Sequence, residues 1–353
     1  MLHDDVFIAD GLSLAIDYGG EAREQSELTQ AMADKDLSVV EGLVPSEFLL
    51  ERDRYQQAFS LEALIDTLFL ESPVDITCFH SAELYGREYS PIGIGAELRR
   101  RHPDRTLLYG ALTSEPDADA RIAELERQVD EFGIVGLGVR PWDFIDGSPR
   151  ELPLHDRELM YPVLERCGEL GVTVIAVHKG LPEGLAPMDP YRPGDLDYAA
   201  RDFPDLQFEV VHGGYGMLEE TASQMDRYPN VWVNLEASML YVMRRPGKFG
   251  RIVGALARAG GADRLLFGSG VPSAHPRPVI EAMWDFEMPA GLTRRGYPEL
   301  SEQTKRGILG LNFARLHGID VPERLSVIRD DDIAHIVRAE GLRAPWSHGR
   351  VPA

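Results

Sequence analysis

The stretch VTVIAVHKG, residues 172–180, runs through apolar and β-branched positions before it meets a histidine, a lysine and a glycine. A run this short, with no polar alternation, reads as a strand buried on both faces. LQFEVVHGG, residues 206–214, repeats the form and sets His212 at the place that His178 holds in the first run. Working outward, six more segments have the same character: VFIAD (6–10), VDITCFH (74–80), RTLLYGA (105–111), IVGLGVR (134–140), VWVNLEA (231–237) and RLLFGSG (264–270). Helix-period segments separate them, among them ADARIAELERQVDEFG and DRELMYPVLERCGELG, the second opening on Asp156 as an N-cap and both closing on glycine. Eight doubly buried strands alternating with helices predict an α/β fold of the TIM-barrel type, a closed parallel (β/α)8 barrel, in which closure also removes exposed sheet edges.

The 353 residues suffice for one such barrel, and 27% charged with 44% hydrophobic residues is the balance of a globular protein. Residues 1–320 are expected to form a single barrel domain. Residues 19–57 are an acidic, Gln-rich insertion suited to a lid or a dimer contact, and 321–353 are a tail with one short helix and a poorly ordered end. A net charge of −22 opposes phosphate backbones and anionic lipid, which excludes nucleic acid and membrane surfaces as natural partners. No run of about 18 apolar residues exists, and the start MLHDDVF has neither a basic segment nor an apolar stretch, so a cytoplasmic protein is expected. Cys78 and Cys167 are too few for a disulfide framework and read as buried hydrophobes.

In a βα barrel the carboxyl ends of the strands face the mouth where chemistry is done. The side chains at those ends are Asp10, His80, Arg140, His178 with Lys179, His212, and Asn234 with Glu236. Imidazoles converging on one mouth ligate metals or move protons, while a single one is as readily a hydrogen-bonded structural residue. His178, His212 and Glu236 are the candidate catalytic groups. Arg140, Lys179, His80 and Asn234 are the candidate substrate-binding groups, the Arg140 fork suiting a carboxylate and Lys179 permitting a Schiff base with a carbonyl.

The ordered set AVHKG, EVVHGG, NVWVNLEAS, DRLLFGSGVP and TKRGILGLNFARLHGI resembles the amidohydrolase-related family, the branch of the amidohydrolase superfamily that contains aminocarboxymuconate semialdehyde decarboxylase and related hydroxybenzoate decarboxylases. The resemblance spans about residues 5–318. It implies a barrel holding a divalent metal, usually zinc, through Asp-x-His-x-His on strand one, a histidine ending strand five and an aspartate in GSDxP on strand eight, with the strand-six histidine moving protons. His178 and His212 match that pattern, and so does Asp10. The two strand-one histidines fall on Leu12 and Leu14 and the strand-eight aspartate on Gly270, none of which offers a lone pair. The family's usual metal centre is therefore expected to be absent and no cofactor is expected. Zinc is the metal that a site rebuilt from His178, His212 and Glu236 would take, with His80 and His275 as further candidate ligands.

These readings converge on an amidohydrolase-like enzyme, a hydrolase or a carbon–carbon lyase such as a decarboxylase, acting on a small carboxylated or carbonyl-containing molecule by acid–base chemistry. The alternative is a catalytically inactive barrel with a binding or assembly role, which loss of the ligands would permit. A homodimer is expected from the family's habit.

Overall fold

The computed structural model describes residues 5–17, 27–55, 57–84, 86–145, 148–184 and 186–348. Eight parallel strands form one sheet in sequence order: β1 Ala9–Ser13, β2 Ile76–His80, β3 Thr106–Ala111, β4 Gly136–Val139, β5 Val174–His178, β6 Gln207–Val211, β7 Val231–Asn234 and β8 Leu265–Leu266. The sheet curls until its edges meet. Gly11 N–H donates to Phe267 O at 2.9 Å, Gly270 N–H to Leu12 O at 3.0 Å and Leu14 N–H to Val271 O at 2.9 Å, so β1 is laced to the chain that continues β8. Every residue of β1, β2, β4, β5 and β7 is buried, as apolar runs without alternation require of strands covered inside and out.

Register brings the two histidine strands side by side: Val177 pairs with Val210, and His178 with Val211. Two strand boundaries depart from the sequence reading. The first ladder begins at Ala9, because Ile8 O is taken by the Asp75 and Ile76 amides, so Asp10 stands within a strand and Leu12 falls inside it too. The last ladder covers only Leu265–Leu266, since Phe267 N–H turns to Ile308 O. Two short antiparallel hairpins, Ala82–Leu84 with Arg87–Ser90 and Trp142–Ile145 with Ser148–Glu151, were not foreseen. They follow β2 and β4.

The helices end as their sequences specify. Asp117 Oδ1 accepts from Ala120 N–H at the start of helix Ala118–Phe132, and Gly133 closes it with a left-handed φ of 60°. Asp156 is a correction: it caps a separate turn by accepting from the amides of Glu158 and Leu159, while helix Tyr161–Glu169 begins after Met160 without a side-chain cap. Cys78 and Cys167 are free and buried. Among the described residues, no helix is long and apolar enough to cross a membrane.

The insertion carries helix Glu27–Leu43, whose Met32, Val39 and Val40 lean over the mouth of the barrel. Residues 19–26 of that insertion lie outside the described residues. The tail is a correction. It holds two helices, Val321–Ile328 and Asp332–Glu340, capped by Asp320 and Asp331, and its end packs against the barrel. Trp346 is only 2% exposed because its indole donates to Phe48 O at 2.9 Å and its ring meets His275 and Phe59 edge-on. Burial of the indole offsets part of the entropy lost in ordering the segment. Residues 349–353, where a disordered end was expected, lie outside the described residues.

Candidate active site

β5 and β6 deliver His178 and His212 to the mouth, and the loops that follow hold them together. Gly216 N–H donates to Gly180 O at 3.0 Å, and a β-carbon on Gly216 would lie 2.8 Å from that oxygen, so only glycine lets the two loops approach. Gly180 itself has a φ of 89°. His212 also adopts the left-handed region, with φ 62°, and so does Ala237 beside Glu236, with φ 59°. Such conformations cost a residue with a β-carbon of order 1 kcal/mol or more, and the tertiary structure must hold them.

The result is a chain of three groups. The Glu236 carboxylate accepts a very short hydrogen bond from His212 Nδ1, and His212 Nε2 lies 3.1 Å from His178 Nδ1. With its Nδ1 proton committed to Glu236, a neutral His212 presents a lone pair at Nε2. His178 then donates from Nδ1 and keeps its Nε2 as the basic atom. Burial, and after it the Arg140 charge and the neighbouring imidazoles His212 and His80, hold the His178 pKa well below the usual range, so His178 is neutral at physiological pH. A proton captured at His178 Nε2 therefore does not rest there. Transfer of its Nδ1 proton to His212 moves the positive charge next to the Glu236 carboxylate, where it is stabilised.

His178, His212 and Glu236 line one cavity. Leu12, Leu14 and Ile16 form its inner wall, Met32, Val39 and Val40 its roof, and Tyr89 and Tyr215 present rings. Arg140 also faces the cavity, but its guanidinium is ion-paired with the Glu183 carboxylate, which in turn accepts from Tyr191 OH at 3.2 Å. The expected free carboxylate clamp is thus already engaged.

The other expected substrate-binding residues are not brought to the cavity. Lys179 is 3% exposed and donates to Asp195 Oδ2 at 2.9 Å and Pro190 O at 2.7 Å. Both contacts turn its amine away from the cavity, so it is not presented to a carbonyl bound there. His80 Nε2 is 3.0 Å from Gly11 O and its ring packs at a tilt against Tyr109, deep in the barrel, where burial drives its pKa down to about 3. Asn234 is a positioning residue: its Oδ1 accepts from Glu236 N–H at 3.0 Å and its Nδ2 donates to Glu209 Oε1 at 2.7 Å. His275, a further candidate ligand, is bound to Glu71 and Ser72 away from this cavity.

The donors of a divalent-metal centre do not fit. Asp10 spends its carboxylate on Ser269 N–H at 2.9 Å, Ser269 Oγ at 2.5 Å and Leu12 N–H at 3.2 Å, and burial raises its pKa to about 6. Leu12 and Leu14 contribute methyl groups. At Gly270, a β-carbon would strike the Glu236 carboxylate, so Glu236 fills the space a side chain at 270 would need. His178, His212 and Glu236 do not converge as a rebuilt ligand set, because Glu236 meets the far nitrogen of His212. Among the described residues no three His, Cys, Asp or Glu side chains are grouped to hold a metal ion.

Two features escaped the sequence reading. Glu183 gave no signal, since it sits in a loop with no recognisable pattern. Glu209 did: it is a glutamate in the middle of the apolar run 206–212. It is fully buried between Asn234 and Tyr109 OH, with a pKa pushed up to about 7 by desolvation, and Tyr109 OH continues to His317 Nε2 at 2.7 Å.

Comparison with known proteins follows the same lines. The family model described as amidohydrolase matches residues 95–319. No curated protein matches the sequence. Among solved structures, an uncharacterized TIM-barrel protein of Bordetella bronchiseptica is 18% identical with a TM-score of 0.63, over 88% of this chain and 98% of the other. The 5-carboxyvanillate decarboxylase of Novosphingobium aromaticivorans, complexed with manganese and 4-hydroxy-3-methoxy-5-nitrobenzoic acid, is 14% identical with a TM-score of 0.53, over 90% and 97%. A putative 2-pyrone-4,6-dicarboxylic acid hydrolase of Pseudomonas putida is 16% identical with a TM-score of 0.53, over 91% and 100%. At these identities the structural likeness establishes the fold.

Proposed function

The chain belongs to the amidohydrolase family, and on that premise we propose that it is an enzyme of the hydrolase or carbon–carbon lyase kind, acting on a small carbonyl-containing molecule through His178, His212 and Glu236 without the family's metal centre. The observation that carries the reading is the hydrogen-bonded chain from Glu236 through His212 to His178 on the wall of an otherwise apolar cavity. His178 is the proton-transfer group. In hydrolysis it takes a proton from the water that adds to the carbonyl carbon, and the same proton returns to the leaving oxygen or nitrogen as that bond breaks. In decarboxylation a proton reaches carbon as carbon dioxide departs and leaves its bonding electron pair behind. In each case His212 carries the transient charge and Glu236 balances it, which is general acid–base catalysis with a relay that relieves an imidazole too desolvated to stay cationic. The absence of a metal step is supported by the chemistry of Leu12, Leu14 and Gly270 and by the commitment of Asp10 to Ser269.

The test is turnover of a panel of esters, lactones, amides and aromatic carboxylates by wild-type protein, His178→Ala and Glu236→Gln, before and after treatment with a chelator. Turnover that survives the chelator and falls by about 100-fold or more in both variants, at unchanged thermal midpoint, supports the reading. Turnover lost to the chelator and restored by a divalent metal overturns the metal-free part. Equal activity of the variants overturns the assignment of the three residues.

A further inference from the structure

The cavity is built to refuse the carboxylate that Arg140 was expected to receive. Its charged lining comes from four elements: Arg140 after β4, Glu183 in the loop after β5, Glu236 after β7, and Lys35 and Asp36 on helix Glu27–Leu43. Arg140 is neutralised by Glu183, and both side chains are nearly buried, at 11% and 6% exposure. Lys35 points its amine at Pro182 O, 3.3 Å away and exposed to solvent. Glu236 is left as a carboxylate on the cavity wall with His212 beside it, and the chain as a whole adds the field of a net charge of −22. Among the described residues that line the cavity, the one cation not paired with a carboxylate is the solvent-exposed Lys35, so an anion entering past it would lose its hydration and meet no buried cation left unpaired.

The rest of the wall points the same way. Leu12 and Leu14 face the cavity from the strand where metal-binding residues were expected, and Met32 and Val39 close over them. Tyr89 and Tyr215 also line it.

Resting on the proposed function, we infer that this site takes an uncharged ligand with an apolar, ring-sized body and one polar carbonyl group, and that it excludes the corresponding carboxylate. Hydrolysis is then the reaction that suits the pocket: water adds across an uncharged ester, lactone or amide, the carbon–oxygen or carbon–nitrogen bond breaks, and the leaving group departs with a proton. The acid so formed ionises and is expelled by the same field that kept carboxylates out. The Arg140–Glu183 pair becomes a specificity determinant, because it decides whether the guanidinium is free to hold a second carboxylate.

Calorimetric titration of the full chain with benzamide and with benzoate, which share shape and differ in charge, reads the inference without turnover. At neutral pH benzamide is expected to bind at least about tenfold more tightly than benzoate. Glu183→Gln, which releases Arg140, is expected to improve benzoate binding by about tenfold or more. The double variant Arg140→Met with Glu183→Leu, which removes both charges together, is expected to keep benzamide binding and still reject benzoate. That second variant guards against a misfolded single substitution. Benzoate binding wild-type protein as tightly as benzamide, benzamide failing to bind at millimolar concentration, or the double variant losing benzamide overturns the inference. Because binding is measured apart from catalysis, selective binding with no histidine-dependent turnover would remove the proposed function and leave this inference standing. Turnover of carboxylates would do the reverse.

Discussion

Two carboxylate–imidazole pairs in this molecule have nearly the same chemistry and opposite surroundings. Glu236 holds His212 at the mouth of the barrel, and the second nitrogen of His212 meets another imidazole beside a cavity. Glu71 holds His275 at 3.1 Å, and every further valence there is satisfied from inside: Arg277 N–H and Ser72 Oγ meet His275 Nδ1, while Trp346 N–H, Ser347 N–H and Ser347 Oγ donate to Glu71. Both side chains of the second pair are wholly buried. Its pKa shifts follow: desolvation depresses His275, and the donors around Glu71 outweigh burial to lower its pKa. A sealed pair is a staple, here fastening the C-terminal segment, whereas the pair with an open end can pass a proton on.

The contrast breaks most sharply at His212. His212→Ala is expected to lower turnover by about 10³-fold with little change in thermal midpoint, since it removes the middle member of the relay and leaves a β-carbon in the same left-handed backbone. Activity assays and thermal melts on one preparation check this. Glu71→Ala should do the opposite. It leaves a buried imidazole and the backbone amides of Trp346 and Ser347 unpaired, a loss of roughly 3–5 kcal/mol in denaturant unfolding, with turnover per folded molecule unchanged.

A third expectation concerns Glu209, buried below the relay. Its folded pKa of about 7 exceeds the ordinary 4.5, so between those values the folded chain keeps a proton that the unfolded chain has released. The stabilisation is complete below about pH 4.5 and is lost as pH rises through about 7, and on the order of 3 kcal/mol is at stake. Relative to wild-type protein, Glu209→Gln is expected to gain that amount between pH 5 and 8 in urea titrations; parallel pH profiles would show that Glu209 is ionised throughout. The smallest effect belongs to Lys35→Ala. Its exposed bond to Pro182 O should be worth less than about 0.5 kcal/mol, and a larger change in melting would mean that the helix over the mouth depends on that tether.

How much of this could be read in advance differs between strands and contacts. All eight barrel strands were visible as apolar runs, because a strand buried on both faces must be apolar along its length whatever it packs against. His178 and His212 were visible because they end two matching runs, each with a glycine close behind: Gly180 takes a φ of 89°, and Gly213 leaves no room for a β-carbon beside Val233. The partners of the charged side chains around them were not. Lys179 stands next to His178 in the chain and yet turns to Asp195, and Arg140 finds Glu183, in choices that rest on residues far along the sequence. The tail was misread because Trp346 alone, among small and polar neighbours, gives no sign of the pocket made for it by Phe48, Phe59 and His275.

The sequence by itself determined the barrel, the placement of two imidazoles at its mouth and the apolar character of Leu12 and Leu14 beside them, because strand length, apolar continuity and residue identity are local properties. Only the tertiary structure decided that Glu236 would meet His212, that Glu183 would occupy Arg140 and that Glu71 would clasp the C-terminal segment. Those pairings join residues from separate elements, and a hydrogen bond is fixed by a few tenths of an ångström that no local pattern encodes.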